Sequence, residues 1–382
     1  MQLRSYVALS LILTSLLAVL ALGGCGYNNT KVCNVAGCCG LASDTCAVPQ
    51  FLYALGLSGQ VSAFPINDST GIPGPPVSTS GPTNSLGMAA LNNQFLYVSN
   101  PQVTVSGPGG LIDAWSINLG TGALTTVPGS PFSLGPLSVG AGLAVNKAAQ
   151  VLYVGDAGKI DALKADGTGA LTDVIGSPFP GGISLFLTVD PQNRFVFASD
   201  DTPPGNVLAY TVDPASGALS TVSGSPFATI PGYVGDTQPG AIVVDSTGSF
   251  VYTALTAANQ IAAFKIVAPS GALTPVPGSP FNSGTRPLAL ATVNNFLYVS
   301  NAQDGTISGF TIDSTTGALT QISGSPFAIY AGPLAATPFL GFLYTTGSGG
   351  LLTLRIDPQT GALTPVGSPI PYGGATVLTF VQ

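Results

Sequence analysis

The chain has no histidine and no glutamate; all sixteen of its acidic residues are Asp. The side chain that titrates nearest neutral pH is therefore missing, and with it the commonest metal ligand. General acid–base chemistry would have to run on Asp, Lys or Tyr. Charge of either sign is scarce: 7% of the residues are charged, against roughly 25% in an average soluble domain. Only nine residues are basic and the net charge is -7, which excludes a nucleic-acid surface, since that draws on clustered Lys and Arg. Solubility must rest on Ser, Thr, Asn, Gln and exposed backbone. Cysteine is absent after Cys46. What is abundant is apolar residues (45%), Gly (50) and Pro (32), a mixture that excludes disorder and suits short strands joined by tight turns.

At the N-terminus Arg4 precedes an apolar run from Val7 to Leu22, closing in Leu22-Gly23-Gly24-Cys25. A positive start, an apolar core and small residues before a cut site make a secretory signal. With Cys at the cut, the stretch resembles a bacterial lipobox. That resemblance implies a lipoprotein signal peptide over residues 1–24 and lipidation of Cys25. An ordinary signal peptide and an uncleaved anchor are the other readings, but the run is short of the ~20 apolar residues a spanning helix needs. Gly26 rather than Asp follows Cys25, so in a Gram-negative host the expected address is the outer membrane. The expectation is an exported cell-envelope protein that meets the membrane through its lipid. Cys33, Cys38, Cys39 and Cys46 follow in a Cys-rich linker over residues 25–49. In an exported chain these four are expected to form two disulfides, with three pairings open. The spacing C-x4-C-C-x6-C is not a zinc pattern, and no metal or cofactor is expected.

Residues 50–382 are built on a repeat. Gly-Ala-Leu-Thr-x-Val-x-Gly-Ser-Pro-Phe runs from Gly122 to Phe132. It returns at Gly169, Gly217, Gly271 and Gly317, and in shortened form at Gly361, with steps of 44 to 54 residues. For all-β sequence this period marks propeller blades. Four strands fit in each period: a short apolar strand such as Ala241–Asp245, then Phe-Leu-Tyr-Val strands such as Phe296–Ser300, then openly alternating strands such as Gln260–Ile266. The Leu-Thr-x-Val strand of the motif is the fourth. Phe51–Ala54 and Gln60–Phe64 supply a second and third strand with no first. Ala375–Val381 is a first strand with no blade of its own. The expected fold is thus an all-β, seven-bladed propeller of four-stranded antiparallel blades, its ring closed by the C-terminal strand joining the N-terminal blade. Closure removes open sheet edges.

The turns before the fourth strands, Asp213-Pro-Ala-Ser-Gly217, Asp313-Ser-Thr-Thr-Gly317 and Asp357-Pro-Gln-Thr-Gly361, join an Asp that bonds backbone N–H groups to a Gly with positive φ. The first-blade turn is read as Asp68-Ser-Thr-Gly71. Each turn offers one carboxylate where calcium takes six to eight oxygens, so these are structural turns and not metal sites. In Ser-Pro-Phe, Pro is expected to end the fourth strand, and Phe132, Phe179, Phe227, Phe281 and Phe327 to plug between blades.

With the phrases Thr-Gly-Ala-Leu-Thr and Gly-Ser-Pro-Phe, and with Tyr97-Val-Ser-Asn100 and Tyr298-Val-Ser-Asn301, the region from Phe51 to Gln382 resembles the bacterial lactonase-like propellers, the 6-phosphogluconolactonase-type family and its YVTN-type surface relatives. The resemblance implies a seven-bladed fold and, in the lactonases, a site of His, Glu and Arg at one channel mouth. The His and Glu roles have no counterpart here. Arg194, Arg286 and Arg355 remain as anion contacts. The loops from fourth to first strand and from second to third share one face, which carries Asp156, Lys159, Asp200, Asp201, Asp236, Arg286 and Asp304. The opposite face carries the Asp turns and Arg194. Candidate catalytic residues are Arg286 as an anion contact, with Asp304, Asp200 or Asp201 to activate water; solvated loop charges are the plainer reading of all four. Three functions follow in order: a lipid-anchored binding or scaffold module taking a small anionic or sugar ligand or a surface protein; a sugar-lactone hydrolase with an Asp/Arg site; and a structural protein of surface assemblies.

Overall fold

The computed structural model describes residues 50–101, 109–135, 142–183, 186–337, 341–347 and 349–381, and the account below concerns these. The signal segment, Cys25 and the four linker cysteines lie outside them.

Seven separate antiparallel sheets form the ring. From its inner strand outward, the second blade runs Met88–Leu91, Phe95–Asn100, Leu111–Ile117 and Leu124–Thr126, and the fifth runs Pro239–Val244, Phe250–Leu255, Gln260–Val267 and Ala272–Pro275. In the third blade, Val151–Ala165 serves as both second and third strand, folding back through Gly158 at φ 85°. The first blade takes its inner strand from the C-terminus: Ala375–Val381 pairs with Gln50–Gly56, which pairs with Gln60–Ile66 and then Val77–Ser80. Tyr372 Oη donates to the Ala54 carbonyl and Thr376 Oγ1 to that of Leu55, 318 and 321 residues away, tightening the closure.

The core is seven apolar clusters, each lying between two adjacent blades. Strand alternation explains this: in the first blade Phe51, Tyr53 and Leu55 face the second blade, while Leu52 and Ala54 face the seventh. A strand buried on both sides reads as continuously apolar, and that accounts for the composition without any membrane role for the blades.

The Phe-x-Tyr phrase of the second strands clamps neighbouring blades. Six tyrosines, Tyr53, Tyr97, Tyr153, Tyr252, Tyr298 and Tyr344, are wholly buried, and each donates its hydroxyl to the motif glycine of the next blade. The acceptors are the carbonyls of Gly122, Gly169, Gly217, Gly317, Gly361 and Gly71, at 2.7 to 3.0 Å. Burial drives all six phenols far above their ordinary pKa, so they stay protonated and donating. In the fourth blade the position is Phe197, which has no hydroxyl; there Tyr210 of the third strand donates backward to the Pro180 carbonyl at 2.7 Å. The residue two before the tyrosine packs on the same glycine. A Cβ at Gly317 would stand 2.3 Å from the Phe250 ring, and φ there is 77°, so both space and backbone require glycine.

The Ser-Pro-Phe phrase behaves differently from its sequence reading. The outer strand does not end at Pro; it breaks there and rejoins the same third strand, Phe132 opposite Ile112, Phe227 opposite Val207 and Phe281 opposite Ile261. The motif serine fills the break. Ser130, Ser177, Ser225, Ser279 and Ser325 each accept on Oγ, at 2.9 to 3.0 Å, the third-strand N–H that the ladder leaves over. The phenylalanines do pack at the inter-blade clusters, Phe179 buried and the other four half-buried.

The turns before the outer strands are built as read. Asp213, Asp313 and Asp357 each accept the backbone N–H groups two and three residues on. In the first blade the bonding residue is Asn67, not Asp68, because only Asn67 stands four residues before Gly71 as the others do. These carboxylates are held below the usual range, Asp213 chiefly by the Ser216 hydroxyl and Asp313 and Asp357 chiefly by backbone N–H groups.

Candidate functional site

Hydrogen bonds sort the loops into two faces. On the lower face the turns between first and second strands hold hands around the ring: Arg194 Nη2 donates to the Gly248 carbonyl, Gln192 Nε2 to that of Thr247, Ser246 Oγ to that of Asn294 and Asn146 Nδ2 to that of Asn193. Arg194 also pairs with buried Asp190 at 2.8 Å through Nε, while Asp190 accepts the N–H of Phe195. Asp245 caps the N–H groups of Ser249 and Phe250 in the same way. Arg194 is thus part of the frame. Arg355 lies over the Phe342 ring at 5.5 Å and likewise braces its own blade.

The upper face joins the second-to-third and fourth-to-first loops. Asp201 N–H donates to Ile183, Thr237 N–H to Pro204, Ala257 N–H to Thr237 and Ala302 N–H to Arg286. Three polar groups sit here. In the third blade Lys159 lies between Asp156 at 3.4 Å and Asp161 at 3.2 Å, both nearly buried. Burial pushes the Asp161 carboxyl up and Lys159 partly offsets it. In the fourth blade Asp200 is buried and accepts from the Ile183 and Thr202 N–H groups and the Thr202 hydroxyl; its carboxylate is consumed in shaping the loop. Its neighbour Asp201 is raised by burial and by the charges of Asp236 and Asp200. In the sixth blade Asp304 accepts the Thr285 N–H and is held below the usual range by it. Beneath it Ser283, buried Asn301, Thr306 and Ser308 form a hydrogen-bonded chain.

Arg286 opens the inner strand of the sixth blade at φ 58°, its N–H donating to Asn259 Oδ1 at 2.8 Å and its carbonyl accepting from Ala302. Its guanidinium is exposed and, among the described residues, makes no ion pair. The four candidate catalytic residues therefore fall into two places. Arg286 and Asp304 share the sixth-blade loops without an ion pair between them; Asp200 and Asp201 belong to the fourth blade, with the fifth between. Asp304 accepts one backbone N–H on a single oxygen, and Asp200 accepts four donors, three of them on Oδ1.

Sequence reading missed the apolar part of this face. Seven of the eleven large apolar side chains that stand exposed among the described residues lie on it, Ile183, Tyr233, Val234, Leu288 and Tyr330 among them. The signal was available: the longest step between motif glycines, Gly217 to Gly271, places its extra residues in the loop 229–238 that carries Tyr233 and Val234. Two hollows lie on the first blade, a polar one of about 410 Å³ at the upper end of its outer edge between Ser58 and Gly81, and one of about 490 Å³ beside the Asn67 turn on the lower face.

Comparison with known proteins agrees with this architecture. Residues 205–329 match the family model described as Lactonase, 7-bladed beta-propeller. No curated protein matches the chain. Among solved structures, a candidate 6-phosphogluconolactonase of Bacteroides fragilis superposes with a TM-score of 0.74 at 18% identity, over 89% of this chain and 99% of that one. One from Bacteroides uniformis does so at 0.73 and 16%, over 88% and 100%. The periplasmic gluconolactonase of Pseudomonas aeruginosa gives 0.69 and 19%, over 87% and 99%. At these identities the likeness is one of fold. The chain is a closed seven-bladed β-propeller.

Proposed function

We propose that this is an exported, lipid-anchored propeller that acts as a binding module at the cell envelope, through its upper face. One observation carries the reading: of the three acids a lactone hydrolase could draw on, only Asp304 shares a blade with Arg286, where it accepts the Thr285 N–H and makes no ion pair with the arginine, while Asp200 is bonded into a fourth-blade loop. What the upper face offers in their place is exposed apolar and acidic side chains on hydrogen-bonded loops. Gln50, where the propeller begins, stands at the lower end of the second strand of the first blade, the end away from that surface.

A lactone hydrolase is the second reading, favoured by the lactonase names of the similar folds and by Arg286, a cation beside Asp304 with no ion pair. Hydrolysis of glucono-1,5-lactone by the purified chain decides between them. The binding reading expects the rate to stay at the uncatalysed background and to be the same in Arg286→Ala. Turnover above background that falls ten-fold or more in Arg286→Ala or Asp304→Ala would sink it. Radiolabelled palmitate on the wild type but not on Cys25→Ala is the outcome expected for the anchor.

A further inference from the structure

The loop 229–238 is held at its base and displayed at its tip. Thr229 and Thr237 are both buried: Thr229 Oγ1 donates to the Gly205 carbonyl and Thr237 Oγ1 to that of Pro204, which sets the two hydroxyl oxygens 3.0 Å apart. Between them, Tyr233 closes a turn on Ile230 and packs over Gly235, and Val234 stands 99% exposed. A bare valine at the tip of a stapled loop gains nothing for the fold; large apolar groups gathered on one face mark a surface that another molecule covers. Ile183, half exposed on the same face, is held to the fourth-blade loop, its N–H by Asp200 and its carbonyl by Asp201. Further round the ring, Leu288 and Tyr330 are also exposed, with Tyr330 lying against Gly305.

The charge on the same face is one-sided. Seven of the chain's Asp residues lie at this end of the blades against two cations, Lys159 and Arg286, and Lys159 is already shared by two of the carboxylates. Asp201 and Asp236 sit in loops joined by the bond from Thr237 N–H to Pro204, and the charge of Asp236 adds to burial in raising the Asp201 carboxyl. Such a face repels anionic lipid and acidic partners and attracts cationic ones.

We propose that the upper face docks a partner protein through a polypeptide segment that alternates apolar and basic side chains, its apolar groups against Tyr233, Val234 and Ile183 and its Lys or Arg groups against Asp201 and Asp236. This names the partner class for the binding reading above and rests on it. Aromatic anchors such as Tyr concentrate binding energy in protein interfaces, and complementary charge around them sets which partner binds.

The test uses the purified chain and three fluorescent 14-residue peptides: one alternating Leu with Lys, one Leu with Glu, and one Ser with Lys. Fluorescence anisotropy is expected to show binding of the Leu/Lys peptide at least ten-fold tighter than either control, weakening between 50 and 300 mM salt. Tyr233→Ser with Val234→Ser, and separately Asp201→Asn with Asp236→Asn, should each weaken it ten-fold or more. Val267→Ser on the lower face and Ile175→Ser on the outer edge should leave it unchanged. Circular dichroism of each variant separates lost binding from lost fold. Equal retention of the Leu/Glu or Ser/Lys peptide, or equal binding by the two upper-face double variants, would overturn this inference while leaving the binding reading standing. So would concentration-dependent self-association abolished by Val234→Ser, since the surface would then belong to a second copy. Lactone turnover would instead overturn the binding reading itself.

Discussion

The six tyrosine clamps and the one missing clamp make a test internal to the molecule. Replacing Tyr298 by Phe removes only the oxygen that donates to Gly361, 2.7 Å away, and leaves the ring in its fully buried slot. The glycine carbonyl then loses a partner inside a dry interface, which costs about 1–3 kcal/mol. Phe197→Tyr is the reverse change: it adds the oxygen at the one blade whose neighbour, Gly271, keeps the same turn geometry at φ 78° but receives no such bond. It should gain about 0.5–1.5 kcal/mol. The single tryptophan, Trp115, is buried in the cluster between the first and second blades, so its fluorescence reports unfolding without a label. Urea midpoints should fall for Tyr298→Phe and Tyr252→Phe, rise for Phe197→Tyr, and stay put for exposed Tyr330→Phe. A double variant at two interfaces should add its parts within about 0.5 kcal/mol. If Tyr298→Phe moved the midpoint no more than Tyr330→Phe does, the clamps would be geometry without energy, and the account of what joins the blades would be wrong.

Two further outcomes follow from the same frame. Gly317→Ala should cost more than any of the Tyr changes, because an Ala in that backbone region loses about 1–2 kcal/mol and its Cβ must also displace the Phe250 ring; a urea midpoint unchanged from wild type would contradict the contact. Asp113 is half-buried, and burial raises its carboxyl above the ordinary value while the Asn100 amide at 2.7 Å lowers it in part. A raised native pKa means the folded state keeps its proton where the unfolded chain has lost it, so this group subtracts stability as pH rises through the native value and has no effect below the unfolded one. Asp113→Asn should therefore be more stable than wild type at pH 7 and equal to it below about pH 3.5; a constant difference across that range would refute the assignment.

The fold was legible in the sequence because every blade must solve the same packing problem with the same residues. The motif glycine needs positive φ and room for an aromatic ring, the serine must satisfy a stranded N–H, and the Phe-x-Tyr pair must grip the next blade. The glycine recurs in all seven blades, the tyrosine bond in six and the serine bond in five, so each left a periodic mark, and the orphan strand at the C-terminus forced the ring to close. Where one mark could be read at two adjacent positions, as with Asn67 and Asp68, only the hydrogen bonds decided. The Ser-Pro break was misread for a similar reason: Pro forbids a ladder bond at one residue, but nothing local says whether the strand resumes beyond it.

The candidate site was legible only as a departure from that period. Arg286 and Asp304 drew attention by being charged in a chain with few charges, yet charge alone did not say which acids were already bonded to backbone. Asp200, Asp190 and Asp245 are all buried, and all three shape turns. Tyr233 and Val234 drew no attention, since an apolar residue in an apolar sequence looks like core until the fold leaves it outside. The spacing already held the hint. A blade that needs about 46 residues was given 54, and the surplus was spent on a stapled loop whose tip stands clear of its own sheet. In a repeat protein the length that the repeat does not explain is where function-bearing structure is to be sought, and here it leads to the exposed tip and the paired acids of the upper face.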